Sequence, residues 1–538
     1  MTAQPSEPIR LHDLLAPARR RGGPAFVDET GAPVSAAEFD ARVAGTAAWL
    51  SAQGLGAGDC IAVWLDNGLD WPALLFASAR LGLRVAAVNT RYKAFELEHI
   101  LARSHARMIV LGAGEGRSDH LSILAGADPA KIPELEAIAV RGPLPDAPPL
   151  PGRGLVAFDP APAEAGSGAG PDAGSDPDAP LIFFTTSGTT SAPKLVTHSQ
   201  RTLSLHGARC AAAFGFDAPG AGFLAAMPFC GVFGLSSFLG AVAGGAPAHM
   251  MAQFDAPLAA RIIRERGLSH IFGSDEMFRR LIELDEPALV AATCCGFGSF
   301  TPGLGEILRG AAERGVPLRG VYGASELHAL FGIQPMSLPV AERLKGGGLP
   351  ASGDRAEVRV RDPETGALLA PGETGELEFR CDTSFLGYFE NPEATAKAVD
   401  AEGFYRSGDI GHLRGDGTFV YAARGGDAIR LSGFLVDPAE IEEALRGVAG
   451  VGDAQVVGLE IGGRLRPVAF VIPEGEAAAF DEEAALAGAA AKLAHFKAPA
   501  RIFPVEAFPV TQSANGVKIR KSELRDMART RLEETAGA

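Results

Sequence analysis

The chain has 538 residues, of which 47% are hydrophobic and 21% are charged. This composition is typical of a folded globular protein and excludes disorder along the whole length. Lysine and arginine number 49 against 65 aspartates and glutamates, so the net charge is −16. A field of that sign repels nucleic acid and anionic membranes, which predicts that neither is a partner. A local basic site for a phosphorylated cofactor is still compatible with it.

The cysteines and the N-terminus bear on the compartment. No two cysteines form a C-x-x-C pair or a zinc-binding spacing, and the adjacent Cys294 and Cys295 are expected in the core of a strand. Residues 1–10 lack the apolar stretch of a signal peptide, and no apolar run reaches the ~18 residues that a membrane span needs. The sequence therefore predicts a cytoplasmic protein without a membrane span. Its oligomeric state, a homodimer included, stays open.

Strands and helices are predicted to alternate over about the first 320 residues. Apolar runs indicate the strands, and helical periodicity indicates the segments between them. The predicted strands are Cys60–Leu65, Arg84–Asn89, Met108–Leu111, Leu181–Thr186, His270–Gly273 and Leu318–Tyr322, and the predicted helices are Trp71–Ala79, Glu96–Ser104, Ser199–Phe214 and Leu258–Arg266. Such alternation favours βαβ units with largely parallel sheets, so the predicted fold class is α/β.

Two later regions differ from this pattern. After about residue 350, short strands separated by turns predict a small β-barrel-like part. The last ~110 residues predict a small α+β unit. Its predicted elements are helix Pro438–Leu445 with Asp437 as N-cap, strands Gln455–Leu459 and Arg466–Ile472, and helix Glu483–Ala494. Residues 160–180 are rich in Ala, Gly, Pro and Ser, which predicts a mobile surface loop.

A hydroxyl- and glycine-rich segment follows the predicted strand at Leu181. It reads Thr185-Thr186-Ser187-Gly188-Thr189-Thr190-Ser191-Ala192-Pro193-Lys194. Backbone N–H groups and hydroxyls at the end of a strand bind phosphate, and Lys194 adds a positive charge. The Walker pattern is absent, and a polar surface turn is the alternative interpretation.

This segment resembles the phosphate loop of the adenylate-forming superfamily, which comprises acyl-CoA synthetases, luciferases and peptide-synthetase adenylation domains. Further segments that resemble the family follow in its order. They are Tyr322-Gly323-Ala324-Ser325-Glu326, Tyr405-Arg406-Ser407-Gly408-Asp409, Arg424-Gly425-Gly426-Asp427-Ala428-Ile429-Arg430, Ser432-Gly433-Phe434 and Asn515-Gly516-Val517-Lys518-Ile519. Together they extend over essentially the whole chain.

The resemblance implies a carboxylic acid:CoA ligase that makes an acyl-adenylate from ATP and passes the acyl group to CoA. Catalysis would gather negative charge, which calls for cations and aimed donors. By resemblance, Thr186, Ser187, Gly188, Thr189, Thr190 and Lys194 would bind the pyrophosphate end, Tyr322, Gly323 and Gly433 the nucleotide, Ser325 the α-phosphate, Glu326 a Mg²⁺ ion, and Asp409 the ribose with the help of Arg424. Lys518 would bridge the carboxylate and the α-phosphate. In isolation, Asp409 is equally a turn former, Glu326 a helix cap and Lys518 a solvated lysine.

The family also implies two domains that move relative to each other. Residues 1–425 are the expected N-terminal domain and residues 426–538 the mobile C-terminal domain. The hinge is expected at Gly426, where the absence of a Cβ permits large changes of φ and ψ.

The acyl pocket is expected around Phe229, Gly231, Val232, Phe233 and Phe297. Glycine at 231 leaves space, which predicts a hydrophobic and bulky acid, although plain core packing explains these residues equally well. No aspartate occurs in 228–234, which disfavours an α-amino acid. Asp275 and Glu276 are candidates for polar residues of the pocket, but an N-cap role before a helix over Met277–Leu284 is the preferred interpretation.

The sequence departs from the family pattern at four places. Ser191 and Leu195 replace glycines of the phosphate loop, Ala423 replaces a glycine before Arg424, and Val517 separates Gly516 from Lys518. All four touch nucleotide handling or the adenylation lysine, and Leu195 is expected to crowd the loop. Two alternatives follow, an enzyme that thioesterifies a preformed acyl-adenylate and an inactive acyl- or nucleotide-binding protein.

Overall fold

The computed structural model describes residues 7–114, 119–164, 175–185, 194–300, 304–425, 429–431, 434–436, 438–461, 464–475, 480–493, 497–513 and 516–537. The helices are α1 Ala16–Arg21, α2 Ala36–Ala52, α3 Asp70–Leu81, α4 Ala94–Ser104, α5 His120–Ala125, α6 Gln200–Phe214, α7 Val232–Gly244, α8 Ala256–Arg266, α9 Asp275–Val290, α10 Gly305–Glu313, α11 Val340–Arg343, α12 Pro392–Ala398, α13 Pro438–Arg446, α14 Glu482–Lys492 and α15 Lys521–Gly537.

The strands before residue 300 are β1 Pro24–Val27, β2 Pro33–Ser35, β3 Cys60–Trp64, β4 Arg84–Ala87, β5 Ala106–Gly112, β6 Ala137–Arg141, β7 Gly154–Ala157, β8 Pro180–Thr185, β9 Leu195–Ser199, β10 Phe223–Ala225, β11 Ala248–Met250, β12 His270–Ser274 and β13 Cys294–Gly298. Those after it are β14 Leu318–Ala324, β15 His328–Ile333, β16 Gly346–Pro350, β17 Ala356–Arg361, β18 Gly375–Cys381, β19 Gly387–Tyr388, β20 Tyr405–Leu413, β21 Phe419–Arg424, β22 Ile429–Leu431, β23 Phe434–Val436, β24 Val451–Ile461, β25 Arg464–Pro473, β26 Arg501–Pro504, β27 Val510–Ser513 and β28 Gly516–Ile519.

An eight-stranded sheet has the order β19-β9-β8-β4-β3-β5-β6-β7. The run from β8 to β7 is parallel, as the βαβ pattern predicts, whereas β9 pairs antiparallel with β8 and with β19. Successive side chains of β3 point to opposite faces of the sheet. Ile61 and Val63 therefore join one hydrophobic core, while Cys60, Ala62 and Trp64 join another.

A thirteen-stranded sheet has the order β17-β18-β20-β21-β16-β15-β14-β13-β12-β10-β11-β1-β2. The neighbouring strands from β14 through β13, β12, β10 and β11 to β1 pair in parallel. The neighbouring strands from β14 through β15, β16, β21, β20 and β18 to β17 pair antiparallel. The antiparallel half contains the short strands predicted after residue 350. The turn Ser325–Leu327 separates β14 from β15 within this sheet, and His198 of β9 in the eight-stranded sheet donates to its Ser325 carbonyl at 2.7 Å.

The residues after 428 form small sheets of their own. Strands β24, β25 and β26 make one sheet, and the pairs β22–β23 and β27–β28 are two-stranded. The two predicted strands are present here with longer bounds, because β24 and β25 continue as a long antiparallel hairpin. Helix α13 ends one residue later than predicted, whereas α14 ends at Lys492, before the predicted Ala494. A salt bridge of 3.3 Å between Arg309 on α10 and Glu443 on α13 links this part to the large one. The expected hinge Gly426 and the N-cap Asp437 lie outside the described residues.

The predicted cap of α9 is wrong. Ser274, not Asp275 or Glu276, is the N-cap, and its hydroxyl accepts a hydrogen bond from the Met277 N–H. Asp275 is buried and accepts the backbone N–H of Phe300 at 2.9 Å. Its carboxylate therefore ties the start of α9 to the segment that follows β13.

Two other segments bear on the sequence predictions. All six cysteines are free and buried, and Cys294 and Cys295 lie in β13 as expected. Of the predicted loop, residues 165–174 lie outside the described part. At its end Ser175 is buried and accepts hydrogen bonds from Arg10 and Gln200.

Candidate active site

A buried carboxylate on β20 receives two hydrogen bonds. The Tyr322 hydroxyl donates to one oxygen of Asp409 at 2.7 Å, and the Arg424 guanidinium donates to the other at 2.7 Å. Asp409 is 6% exposed, whereas the Arg424 side chain is 60% exposed. The three residues come from β14, β20 and β21, so motifs that are far apart in the sequence meet here, with Arg424 reaching out towards solvent.

The packing of these strands fixes the carboxylate. Tyr322 stacks on Phe379 with ring centroids 5.1 Å apart, and burial and the Asp409 carboxylate raise the pKa of its hydroxyl. The phenol therefore stays neutral and keeps its proton for Asp409. The Asp409 N–H donates to the Ser407 hydroxyl, and Gly408 between them has a φ of 69°, which favours glycine.

A second buried carboxylate lies on the turn after β14. Glu326 is 7% exposed, and the Tyr388 hydroxyl donates to it at 2.7 Å. Burial and the Glu326 carboxylate raise the pKa of Tyr388, so this phenol is also a neutral donor. The alternative interpretation of Glu326 as a helix cap has no support in this geometry, because its carboxylate binds a side chain 62 positions away.

Tyr405 connects the two carboxylates. It is buried, and burial together with Glu326, Tyr388 and Asp409 raises its pKa, while Arg424 opposes that rise. The carboxylates of Glu326 and Asp409 are thus parts of one polar site.

Lys194 reaches the same site from the β8–β9 hairpin. Its ammonium lies 4.7 Å from the centre of the Tyr388 ring, a cation–π contact. Pairing of Tyr388 with Val196 brings β19 beside β9 and so positions the ring. Leu195, expected to crowd the loop, instead has a buried side chain in the core on one face of the sheet. The phosphate loop itself, residues 186–193, lies outside the described residues, so the crowding of that loop stays a prediction.

Gly323 lets β14 and β15 approach each other at the turn. A Cβ on this residue would lie 2.5 Å from the Cα of Ala329 and 2.7 Å from the carbonyl oxygen of His328. A side chain is therefore excluded by neighbouring backbone. Close packing is therefore one reason for glycine at position 323, in addition to the nucleotide contact predicted for it.

Most of the residues predicted for the acyl pocket belong to one hydrophobic core. Phe229 is fully buried and contacts Trp71 and Phe238, with ring centroids 6.0 and 4.8 Å away. Phe233 and Phe297 are also buried, at the start of α7 and in β13, and Gly231 immediately precedes α7. Phe229 thus has the contacts of a core residue, which matches the alternative interpretation for that position.

Several predicted site residues cannot be compared with the structure. Thr186, Ser187, Gly188, Thr189, Thr190, Ser191 and Gly433 lie outside the described residues. Lys518 lies on β28 opposite Thr511, but its side chain is not described. The roles of these residues remain predictions.

The structure adds residues that the sequence did not indicate. Tyr388 binds Glu326, and Asn67 binds the 225–229 segment through Met227 at 2.7 Å and Phe229 at 2.8 Å. These contacts cross 62 to 162 positions of sequence. No local pattern in the sequence marks such a pair.

The described residues fit Mg²⁺ better than a metal that needs a full protein cage. Among them, no group of three or more His, Cys, Asp or Glu side chains could hold a metal ion. Magnesium is commonly held by one or two carboxylates together with substrate phosphates. The single buried carboxylate of Glu326 beside Lys194 matches that pattern.

Comparison with known proteins identifies the family. The model of the AMP-binding enzyme family matches residues 15–389, and the model of the AMP-binding enzyme C-terminal domain matches residues 440–515. The chain belongs to the AMP-binding enzyme family. The predicted resemblance to adenylate-forming enzymes is thereby confirmed.

Curated relatives of this AMP-binding enzyme are CoA ligases. A 3-[(3aS,4S,7aS)-7a-methyl-1,5-dioxo-octahydro-1H-inden-4-yl]propanoyl:CoA ligase of Rhodococcus jostii is 27% identical over 98% of this chain and 99% of its own length. A 4-chlorobenzoate–CoA ligase of Arthrobacter is 26% identical over 94% of this chain and 93% of its own. The predicted enzyme class, an AMP-forming acid–thiol ligase, is the class of these relatives.

Solved structures confirm the α/β fold class. The amide bond synthetase of Marinactinospora thermotolerans superposes with a TM-score of 0.77 at 23% identity, over 96% of this chain and 99% of that one. The o-succinylbenzoate CoA synthetase of Bacillus subtilis gives a TM-score of 0.75 at 20% identity, over 95% and 97%. Separately, none of the described helices combines the length and apolar character that crossing a membrane requires.

Proposed function

We propose that this AMP-binding enzyme joins a hydrophobic carboxylic acid to CoA through an acyl-adenylate. The observation that carries the proposal is the pair of buried carboxylates, Asp409 and Glu326, each held by a neutral phenol, with Lys194 beside one of them. Burying a carboxylate is costly, and such groups concentrate at functional sites. We therefore interpret these two carboxylates as groups that bind hydroxyls or a cation.

Asp409 would bind the ribose of ATP. A carboxylate has about four acceptor positions, of which Tyr322 and Arg424 occupy two. The remaining positions suit the two ribose hydroxyls. Because Arg424 is largely exposed, its guanidinium would also meet the phosphates or the solvent-facing side of the nucleotide.

Lys194 and Glu326 would act at the phosphates. Lys194 supplies a positive charge for the pyrophosphate leaving group, and Ser325 is positioned next to Glu326 for the α-phosphate. Glu326 would hold a Mg²⁺ ion, which neutralises phosphate charge when it is bound. Fixed charges of this kind stabilise the transition state because they need no reorganisation as negative charge develops.

Lys518 would bridge the substrate carboxylate and the α-phosphate during adenylation. Its strand, β28, belongs to the small part of the chain, so a movement of residues 426–538 about Gly426 would bring it to the site. Its neighbour Lys521 is a poor candidate, since Lys521 donates to Glu442 at 2.7 Å and to the Val456 carbonyl.

The acid is proposed to be apolar and bulky near its carboxylate. Support comes from the buried Phe233 and Phe297, from the half-buried Val232 and from the missing side chain at Gly231. The names of the relatives include 4-chlorobenzoate and 4-coumarate, acids that carry an aromatic ring.

The test is an assay of both half-reactions with the full-length protein. The protein is incubated with Mg²⁺, ATP and a panel of benzoates, cinnamates, ring-bearing propanoates and fatty acids, with and without CoA. We expect acid-dependent release of pyrophosphate and, with CoA, an acyl-CoA detectable by mass spectrometry. The Lys518→Ala variant serves as the control that should lose pyrophosphate release.

The same assay separates the alternatives. A synthetic acyl-adenylate supplied with CoA tests the second half-reaction alone. Thioester formed only from that adenylate would favour an adenylation-impaired enzyme, the hypothesis raised by Ser191 and by the Gly516-Val517-Lys518 spacing. Binding of ATP by calorimetry without any turnover would favour a binding protein and overturn the ligase proposal.

A further inference from the structure

Three buried imidazoles stack directly behind the Ser325–Leu327 turn. His198 and His328 have ring centroids 3.8 Å apart, and His206 and His328 have centroids 4.7 Å apart, with interplanar angles of 30° and 20°. All three side chains are at most 2% exposed. We call His198, His206 and His328 the imidazole stack.

The outer rings of the imidazole stack hold the backbone around the inner one. His198 Nε2 donates to the Ser325 carbonyl at 2.7 Å, and His206 Nε2 donates to the Ala329 carbonyl at 2.7 Å. A carbonyl oxygen only accepts, so both Nε2 atoms must carry a proton. The segment from Ser325 to Ala329 is therefore fastened at both ends, with the His328 ring packed between the two donors.

The rings bear no charge at neutral pH. Burial lowers the pKa of His198 and of His206 to about 4, and burial and the two neighbouring histidines lower the pKa of His328 well below its usual value. The stack is thus a neutral, rigid support rather than a source of charge at the site.

The supported backbone is strained. His328 has φ 62° and ψ 155°, and Leu330 has φ 62°, although neither residue is glycine. This region of φ and ψ is nearly restricted to glycine, and such residues persist only where their surroundings fix them. Strain of this kind concentrates at functional sites. Here it lies two residues after Glu326.

We propose that His198, with the imidazole stack behind it, is a positioning residue for the adenylation step, because it fixes the turn that presents Ser325 and Glu326. The proposal rests on the function proposed above, in which these two residues meet the α-phosphate and Mg²⁺. A turn that loses its support would misplace both groups, and displacements of about 1 Å cost up to about 100-fold in rate.

The test compares four variants in the two half-reactions. His198→Leu removes the donor, whereas His198→Gln offers an amide N–H in its place. His328→Gly removes the central ring but suits the backbone conformation. His249→Gln changes a buried histidine on β11, outside the stack, and is the control.

Adenylation is measured as acid-dependent pyrophosphate exchange at varied Mg²⁺ concentrations. Thioester formation is measured separately, with CoA and a supplied acyl-adenylate. We expect His198→Leu and His328→Gly to lose about 10-fold or more in adenylation kcat and to need more Mg²⁺, while thioester formation changes less than about 3-fold. His198→Gln should recover most of the adenylation rate, and His249→Gln should match the wild type.

Other outcomes of these assays would contradict either the positioning role or the proposed function. Equal losses in both half-reactions, or no loss in His328→Gly, would reduce the stack to ordinary core packing. If His198→Leu fails to fold, as judged by its melting temperature, His328→Gly and His198→Gln decide the question. A wild-type protein without adenylation would refute the proposed function itself, and the positioning role with it.

Discussion

Asp409 holds its carboxylate between a neutral phenol and an exposed guanidinium. This arrangement leaves acceptor positions for a ligand without leaving an uncompensated charge in the interior, which would be costly. Glu326 likewise accepts from a neutral phenol, Tyr388, whose ring lies 4.7 Å from the Lys194 ammonium. At the scale of single residues, the site is therefore built from neutral donors around acids.

The first prediction concerns the ribose contact. Asp409→Asn should raise the KM for ATP by about 10- to 100-fold, because hydrogen bonds to a charged acceptor contribute about 1.5–3 kcal/mol. The kcat should fall less, since the ribose is remote from the reacting atoms. Tyr322→Phe, which keeps the carboxylate, should have a smaller effect on KM. Steady-state kinetics with varied ATP measure both, and an unchanged KM in Asp409→Asn would exclude the ribose role.

The second prediction concerns Tyr388. Tyr388→Phe removes the donor to Glu326 but keeps the ring under Lys194, whereas Tyr388→Leu removes both. We expect the first variant to require more Mg²⁺ and the second also to bind ATP more weakly. Pyrophosphate release at varied Mg²⁺ and varied ATP distinguishes them, and identical behaviour of the two variants would contradict the contact with Lys194.

At the scale of elements, the chain reversal between β14 and β15 sets the position of the turn that carries Ser325 and Glu326. The two strands approach so closely at Gly323 that a Cβ would meet the backbone of Ala329 at 2.5 Å. The turn between them presents Ser325 and Glu326. A change in the spacing of these strands would therefore change the geometry of the proposed active site.

The third prediction follows from that spacing. Gly323→Ala should lower the free energy of unfolding by about 1–3 kcal/mol, because the added methyl group meets backbone that cannot step aside. Adenylation should fall with it. Gly56→Ala is the matched control, since nothing lies within 4 Å of a Cβ there, and it should be neutral or slightly stabilising. Urea unfolding measures both, and equal stability of the two variants would refute the close approach.

The elements themselves were largely predictable. Apolar runs such as that at Cys60 indicated strands that the structure contains, since a strand buried on both faces has a continuous apolar sequence. The N-cap of α9 was missed because Ser274 is also the last residue of β12. The motif acids Asp409 and Glu326 were found in the sequence, whereas Tyr388 and His198 were not, because their partners are set by strand pairing over long distances.

At the scale of the whole molecule, several histidines are buried in neutral form. Burial lowers the pKa of His206 and of His249 to about 4, against about 6.5 in an unfolded chain. Between these two values the unfolded state binds protons that the folded state does not. The contribution of these histidines to the free energy of unfolding is therefore fully present above about pH 6.5, and it is lost as the pH drops towards 4.

The fourth prediction tests this dependence. The free energy of unfolding should fall between pH 7.5 and pH 5.0, with a slope of up to about 1.4 kcal/mol per pH unit for each such histidine. His249→Gln removes one of these groups and should lose less stability over the same interval than the wild type. Urea denaturation at both pH values is the measurement, and an identical pH dependence of the two proteins would contradict the prediction.

The order of the site along the chain has a consequence for biosynthesis. Lys194 and Glu326 leave the ribosome well before Arg424, and the proposed ribose site needs β14, β20 and β21 together. A nascent chain that ends after Tyr388 would thus contain Lys194 and Glu326, which are proposed to act at the phosphates, but not the proposed ribose site. Because a ligand stabilises only a state that it binds, ATP bound at the complete proposed site would stabilise the protein only late in its synthesis. Folding of the N-terminal part before that point would rely on its own packing and hydrogen bonds.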